Sequence, residues 1–216
     1  MPFGVDEVRP AVVAIDLHRG HLDPSVATLP VRNGTEDAII TANRQFLDAS
    51  RRANVPVIHC VTQYLDPVEI RANPYWHAHA DQSGNARRNQ ERHNLTGSPG
   101  IEIIPQLHDP GYDLVISAKR RYNCFVATDL DFMLTSRGIN TVVLTGVNTN
   151  SCVLATATAA CSLDYAVIVV DDCVESMDGL DLHRAALMCI DTAFGWVKSS
   201  TDVIRVLRGA RNDVPR

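Results

Sequence analysis

No Cys-x-x-Cys pair occurs among the six cysteines, at positions 60, 124, 152, 161, 173 and 189, and most of them sit inside apolar runs. That excludes the spacing of a zinc cluster, gives no sign of a disulfide framework, and leaves most of these thiols as small buried hydrophobes. A basic run of the kind that tracks phosphates is also missing, and the formal net charge is -5 with a pI near 5.9. Nucleic acid is therefore not an expected partner. Nowhere do about 18 apolar residues run uninterrupted, so no membrane span is expected. Residues 1–7 lack a basic segment followed by an apolar one, and the expected location is the cytoplasm. Internal repeats, low-complexity tracts and a second-domain boundary are absent as well. What remains reads as one domain over residues 1–216, whose 45% hydrophobic and 21% charged residues suffice for one substantial core.

Apolar, β-rich runs fall at residues 11–15, 55–61, 114–117, 141–147 and 165–170. Patterns with apolar residues at three- and four-residue spacing fall at 36–53, 126–137, 153–163 and 180–192. A sixth short strand is expected at 195–198 and a last helix from Thr201. Alternating β and α implies a parallel sheet, and strands apolar at nearly every position fit burial on both faces, with helices on either side. Residues 64–100 differ: they are polar, carry Trp76, His77, His79 and His93, and contain Pro67, Pro74, Gly84, Gly97 and Pro99. A connection of that length inside a compact domain is usually functional or disordered, and its aromatic and histidine content fits a lid or an intersubunit arm better than a linker.

In open α/β sheets ligands bind beyond the carboxyl ends of the strands. The first run ends in Asp16, the third reaches Lys119 through Ser117 and Ala118, and the fourth leads through a turn to Cys152, at the expected start of a helix. If strands one, three and four are neighbours, a carboxylate, an ammonium and a thiol meet in one cleft. A helix N-terminus favours a thiolate, Asp16 can serve as base, Lys119 can supply a positive charge, and the turn from Asn148 to Cys152 can offer backbone N–H groups to an oxyanion. By position alone, Asp16 also fits a turn cap, Lys119 the start of a solvated basic face with Arg120 and Arg121, and Cys152 a buried structural cysteine.

Three blocks carry a family resemblance: Asp16, Leu17, His18, Arg19 and Gly20; Lys119 onward through Asn123, Cys124 and Phe125 to Thr128, Asp129 and Leu130; and Thr145, Gly146, Val147, Asn148, Thr149, Asn150, Ser151, Cys152 and Val153. In this order and spacing the chain, from about residue 9 to 198, resembles the isochorismatase-like cysteine hydrolases. The resemblance implies a three-layer α/β/α fold with a central six-stranded parallel sheet and a catalytic triad of Asp16, Lys119 and Cys152. It also implies a cis peptide at Val147-Asn148 that turns the amides of Asn148 and Cys152 toward an oxyanion, and a homodimer or homotetramer.

Within that family a cysteine at 152 points to the amidases. Nicotinamidases usually carry a metal-binding Asp-x-His after strand two, and that pattern is absent here. His77 and His79 form an H-x-H pair beside Trp76, but the Asp-x-His pattern is missing, so no metal and no cofactor is expected. Thr149, Asn150 and the stretch Phe194, Gly195, Trp196 and Val197 resemble the carbamoyl and ureido amidohydrolase branch, which includes N-carbamoylsarcosine amidase and biuret and triuret hydrolases. His18 and Arg19 depart from the Gln-Asn pair that the family often has there.

The expected activity is hydrolysis of a C–N bond in a small carbamoyl or ureido amide through a thioester, releasing ammonia. Arg71, Trp76, Tyr122, Asn123, Asn148 and Asn150 are the candidate contacts to a small polar amide or ureide substrate. Other readings are an amidase of a nicotinamide- or maleamate-like amide, a non-catalytic binding scaffold, and a thiol sensor, the last weakened by the missing resolving cysteine.

Overall fold

The computed structural model describes residues 2–80 and 86–209. Six strands, β1 (Pro10–Ile15), β2 (Val57–Thr62), β3 (Leu114–Lys119), β4 (Thr141–Val147), β5 (Ala166–Glu175) and β6 (Trp196–Lys198), pair in parallel in the order β3-β2-β1-β4-β5-β6. The helices are α1 (Arg19–Leu22), α2 (Glu36–Arg52), α3 (Pro67–Arg71), α4 (Pro74–His79), α5 (Leu130–Thr135), α6 (Leu154–Ser162), α7 (Leu180–Ala193) and α8 (Ser200–Gly209). Among the described residues no helix is long and apolar enough to cross a membrane.

β1 explains the three layers. All six of its residues are buried, and because successive side chains point to opposite faces, Ala11, Val13 and Ile15 join one core while Val12 and Ala14 join the other. The first core is closed by Leu130 and Leu134 of α5, Ala157 and Ala160 of α6 and Ile190 of α7; the second by Phe46 and Leu47 of α2 and Val203 and Leu207 of α8. Helix α2 forms because its buried positions, Ile39, Asn43, Phe46, Leu47 and Ser50, recur every three or four residues. Glu36 and Asp37 in its first turn and Arg51 and Arg52 in its last complement the helix dipole. Truncating the fully buried Phe46 to alanine removes about 3–5 kcal/mol.

Several sequence expectations are corrected. β2 lies between β1 and β3, so the strands that end in Asp16 and Lys119 are not neighbours. The helix expected over 126–137 is only Leu130–Thr135, because Ala127 takes a left-handed φ of 54°. β5 extends five residues past the expected end at Val170, to Glu175. Residues 64–100 are no bare loop: Asp66 and Asn73 cap α3 and α4 through their side chains, each followed by a proline at the first helical position, where a missing N–H costs nothing. Tyr64, Ile70 and Trp76 form a small core of their own there. Gly84 and the rest of 81–85 lie outside the described residues.

Candidate active site

Asp16 ends β1 in a left-handed conformation, φ 52°, with no exposed surface. Its Oδ1 accepts hydrogen bonds from the backbone N–H of Thr62 at 2.9 Å and from the Thr62 hydroxyl at 2.8 Å. Its Oδ2 accepts from Lys119 Nζ at 2.6 Å. Lys119 ends β3 and is 1% exposed, so it is no part of a solvated face. To reach Asp16 it crosses the end of β2, where Thr62 Oγ1 accepts from Nζ at 2.7 Å. A third contact of 3.5 Å joins Nζ to Cys152 Sγ. A buried ammonium is tolerated only when paired and hydrogen-bonded, and Asp16, Thr62 and Cys152 together meet that need.

Helical structure begins about one turn earlier than expected, so that Cys152 lies inside a π-helical turn over Thr149–Val153 that leads into α6. The carbonyl of Asn148 accepts from the N–H groups of Ser151 and Val153, and Asn148 Oδ1 accepts from Met177 N–H at 2.8 Å. The peptide between Val147 and Asn148 is cis. Gly146 immediately before it has φ 106°, and a Cβ there would lie 1.9 Å from the Ile15 carbonyl oxygen, so only glycine lets β4 pass this close to β1.

Charge states follow from burial and pairing. Burial alone would raise the Asp16 carboxyl, but Lys119 and His18 outweigh it and hold the group well below the ordinary carboxylate range. Burial likewise opposes the Lys119 charge, and Asp16 and Cys152 reverse that, holding the ammonium well above its usual value. The Cys152 thiol is pushed up to about 12, by burial first and by Asp16 against the opposing pull of Lys119. At neutral pH the resting site therefore holds a carboxylate, an ammonium and a thiol. The thiolate expected from a helix N-terminus is overridden by desolvation.

Two cavities meet here. An inner one of about 20 Å³ is lined by Asp16, Thr62, Lys119 and Cys152 together with His21, Gln90 and His93. An outer one of about 450 Å³ lies between Trp76, Tyr122, Asn150, Ser151 and Asp178. Arg87, Gln90 and Tyr122 line both. Of the residues expected to touch substrate, Asn148 lines the inner cavity, Trp76 and Asn150 the outer one, and Tyr122 both; Trp76 Nε1 donates to Tyr122 Oη at 3.0 Å. Two do not fit. Arg71 lines neither cavity and forms a fork with Glu91 at 2.8 and 2.7 Å, and Asn123 Oδ1 accepts from Phe125 N–H in a local turn.

Sequence reading missed Thr62, whose signal was only its place at the end of the strand between Asp16 and Lys119. It also missed Arg87, which pairs with Asp178 and reaches Tyr122 Oη and Ser151 Oγ at 3.3 Å each. His21 and His93, brought beside His18, were missed too; the i, i+3 spacing of His18 and His21 was visible, but their distant partner was not.

The isochorismatase domain matches residues 10–202. Ureidoacrylate amidohydrolase RutB of Methylobacterium radiotolerans is 31% identical to the chain over 207 residues, spanning 91% of this chain and 78% of that protein. RutB of Azorhizobium caulinodans is 27% identical over 213 residues, spanning 94% and 92%. Among solved structures, a cysteine hydrolase from Pseudomonas syringae pv. phaseolicola aligns with a TM-score of 0.81 at 25% identity, over 96% of both chains. N-carbamoylsarcosine amidase from Thermoplasma acidophilum aligns with a TM-score of 0.67 at 27% identity, over 89% of this chain and 97% of its own. With its six parallel strands in place and the domain matched almost end to end, the chain belongs to the isochorismatase family.

Proposed function

We propose that this hydrolase is a cysteine-dependent amidohydrolase of small carbamoyl or ureido amides, with Asp16, Lys119 and Cys152 as its catalytic residues. The observation that carries the reading is the buried contact of all three side chains: Lys119 Nζ lies 2.6 Å from Asp16 Oδ2 and 3.5 Å from Cys152 Sγ, at the wall of a cavity. Similarity to ureidoacrylate amidohydrolases and to N-carbamoylsarcosine amidase supports the choice of substrate class.

A thiol near pKa 12 needs a base at the moment of attack, and Asp16 is the carboxylate beside it. As Sγ bonds to the carbamoyl carbon, the thiol proton passes to Asp16, while Lys119 holds the negative charge that the pair carries. The carbonyl oxygen becomes an oxyanion, for which we assign the backbone N–H groups of Asn148 and Cys152 as donors. Protonated Asp16 then gives its proton to the leaving nitrogen. Ammonia departs and a thioester remains on Cys152. Water, deprotonated by the same carboxylate, attacks the thioester and releases thiol and acid; from a ureide that acid is a carbamate, which loses carbon dioxide.

The outer cavity suits the rest of such a substrate. Tyr122, Asn150, Ser151 and the Arg87–Asp178 pair offer donors and acceptors around its mouth, and a ureide that matches them is favoured over an analogue that leaves one unpaired.

The test is ammonia release from ureidoacrylate, N-carbamoylsarcosine, biuret, triuret, nicotinamide and maleamate, with Cys152→Ser as the control. Turnover of a ureide that is lost in the variant supports the reading. Turnover confined to nicotinamide or maleamate would move the chain to another amidase branch, and silence on every amide would overturn it.

A further inference from the structure

Beside the triad, three imidazoles crowd together. His18 is 0% exposed, His21 4% and His93 2%, and one ring nitrogen from each lies within 4.8 Å of the others. The rings of His18 and His21 stack at 4.8 Å, and that of His93 lies 4.6 Å from His21 and 5.5 Å from His18. Two come from the turn of α1 and the third from the segment after the turn Gln90–Arg92, about 70 residues on. Burying three imidazoles next to a lysine ammonium serves no packing purpose that leucine or phenylalanine would not serve better.

The contacts behind two of the rings are those of ligands. His21 Nδ1 meets the Leu29 carbonyl, which can only accept, so that nitrogen carries the proton and Nε2 keeps its lone pair. His93 Nδ1 is 2.8 Å from Thr28 Oγ1, on the adjacent residue of the same loop. A backbone carbonyl or hydroxyl on the far nitrogen is the usual way a metal-binding histidine is oriented. His18 Nε2 lies 2.9 Å from Asn94 Nδ2 and 3.5 Å from Asp16 Oδ1, which sets a carboxylate beside the trio and offsets part of an added positive charge.

A second observation points to something bound. Gln90, 4% exposed, lines the inner cavity together with His21 and His93, and its Oε1 finds no donor among the described residues. An orphaned acceptor in the wall of a polar cavity calls for a donor, and a metal-bound water is one.

We propose that His18, His21 and His93 form a binding site for a divalent transition metal ion of the zinc class, with a further coordination position facing the inner cavity. Imidazole donors suit zinc, cobalt and nickel rather than magnesium or calcium. Three protein ligands with an open position are the pattern of a site that takes up water or a substrate atom. The donors are not an Asp-x-His after strand two: two of the three follow β1. In the free protein the open position holds water within reach of Gln90, and an oxygen or nitrogen of a small polar substrate displaces it, fixing that end of the molecule relative to Cys152.

Metal binding is read without reference to turnover, so it stands or falls apart from the reaction assigned above. Chelator-treated protein is titrated with Zn²⁺ by calorimetry and with Co²⁺ by absorption. One ion per chain is expected, with cobalt bands of nitrogen and oxygen ligation and no sulfur charge-transfer band. His21→Gln and His93→Gln should each weaken binding more than about tenfold, and Thr28→Val, which leaves all three rings in place, by about tenfold or more. Cys152→Ser should bind Zn²⁺ as the parent does. Absence of stoichiometric uptake by the folded parent protein would overturn the proposal, as would uptake that survives both histidine substitutions or disappears with Cys152→Ser.

Discussion

Lys119 Nζ stands 2.6 Å from Asp16 Oδ2 although β2 separates the strands that carry them. The long lysine side chain spans the end of β2, and Thr62 at that end bonds to both, so three adjacent strand ends share one buried charge pair. Such a pair is held by geometry: each charge is tolerable only while the other is present.

Lys119→Met should therefore cost about 3–5 kcal/mol of stability, because it strands a buried carboxylate. The double variant Asp16→Asn, Lys119→Met should recover most of that loss while staying inactive. Urea unfolding at neutral pH checks both. A single-variant loss below about 1 kcal/mol would mean that the pair is solvated.

Thr62→Val keeps the shape of the side chain and removes the bridging hydroxyl. We expect ammonia release to fall about tenfold or more, the equivalent of roughly 1–3 kcal/mol for a lost hydrogen bond between charged partners. Thr62→Ser should restore most of the rate. Rates in Thr62→Val equal to those of the parent would leave the hydroxyl without a part in the site.

Thiol reactivity should separate the two charges. Asp16 raises the Cys152 thiol and Lys119 lowers it. Alkylation of Cys152 by iodoacetamide at mildly alkaline pH should accordingly be faster in Asp16→Asn and slower in Lys119→Ala, although both variants lose turnover. Peptide mapping of the alkylated cysteine measures this. The opposite order would contradict the assigned charges.

The Asp113 carboxylate, held by His59 and Arg51, predicts the acid limb of stability. Burial opposes ionisation of Asp113, yet hydrogen bonds from His59 at 3.2 Å and from Arg51 at 2.7 and 3.0 Å outweigh it and bring the carboxyl to about 2. A carboxyl lowered on folding adds stability above its unfolded pKa of about 3.9, and that stability is lost as pH falls through the folded value. From that shift, Asp113→Asn should remove about 2 kcal/mol at pH 7 and much less near pH 2. Urea midpoints at the two pH values test the difference; a penalty independent of pH would contradict it.

Much of this was legible in the residues. The three-layer arrangement followed from strands apolar at nearly every position, and β1 bears that out by feeding alternate residues to two cores. Asp16, Lys119 and Cys152 were visible as polar residues at strand ends. What stayed hidden depended on contacts distant in sequence. Strand order decides which ends touch, so the place of β2 and the bridging by Thr62 could not be read from runs alone. Prolines at 67 and 74 looked like loop markers because a proline opens a helix as readily as it breaks one. Nothing near Arg71 in sequence marks it as engaged, and the carboxylate that holds it, Glu91, lies twenty residues on. His18 and His21 lacked a reason to be buried until His93 arrived beside them.

The proposed nucleophile can be caught directly. Acid-quenched reactions with ureidoacrylate and N-carbamoylsarcosine, followed by intact-mass and peptide analysis, should reveal a species heavier than the free chain by the substrate less ammonia. The added mass should lie on the peptide containing Cys152 and be absent from Cys152→Ala, which should fold normally and release no ammonia. Turnover by Cys152→Ala at a rate close to that of the parent, or an acyl group carried on another residue, would contradict the assignment of Cys152 as the attacking thiol.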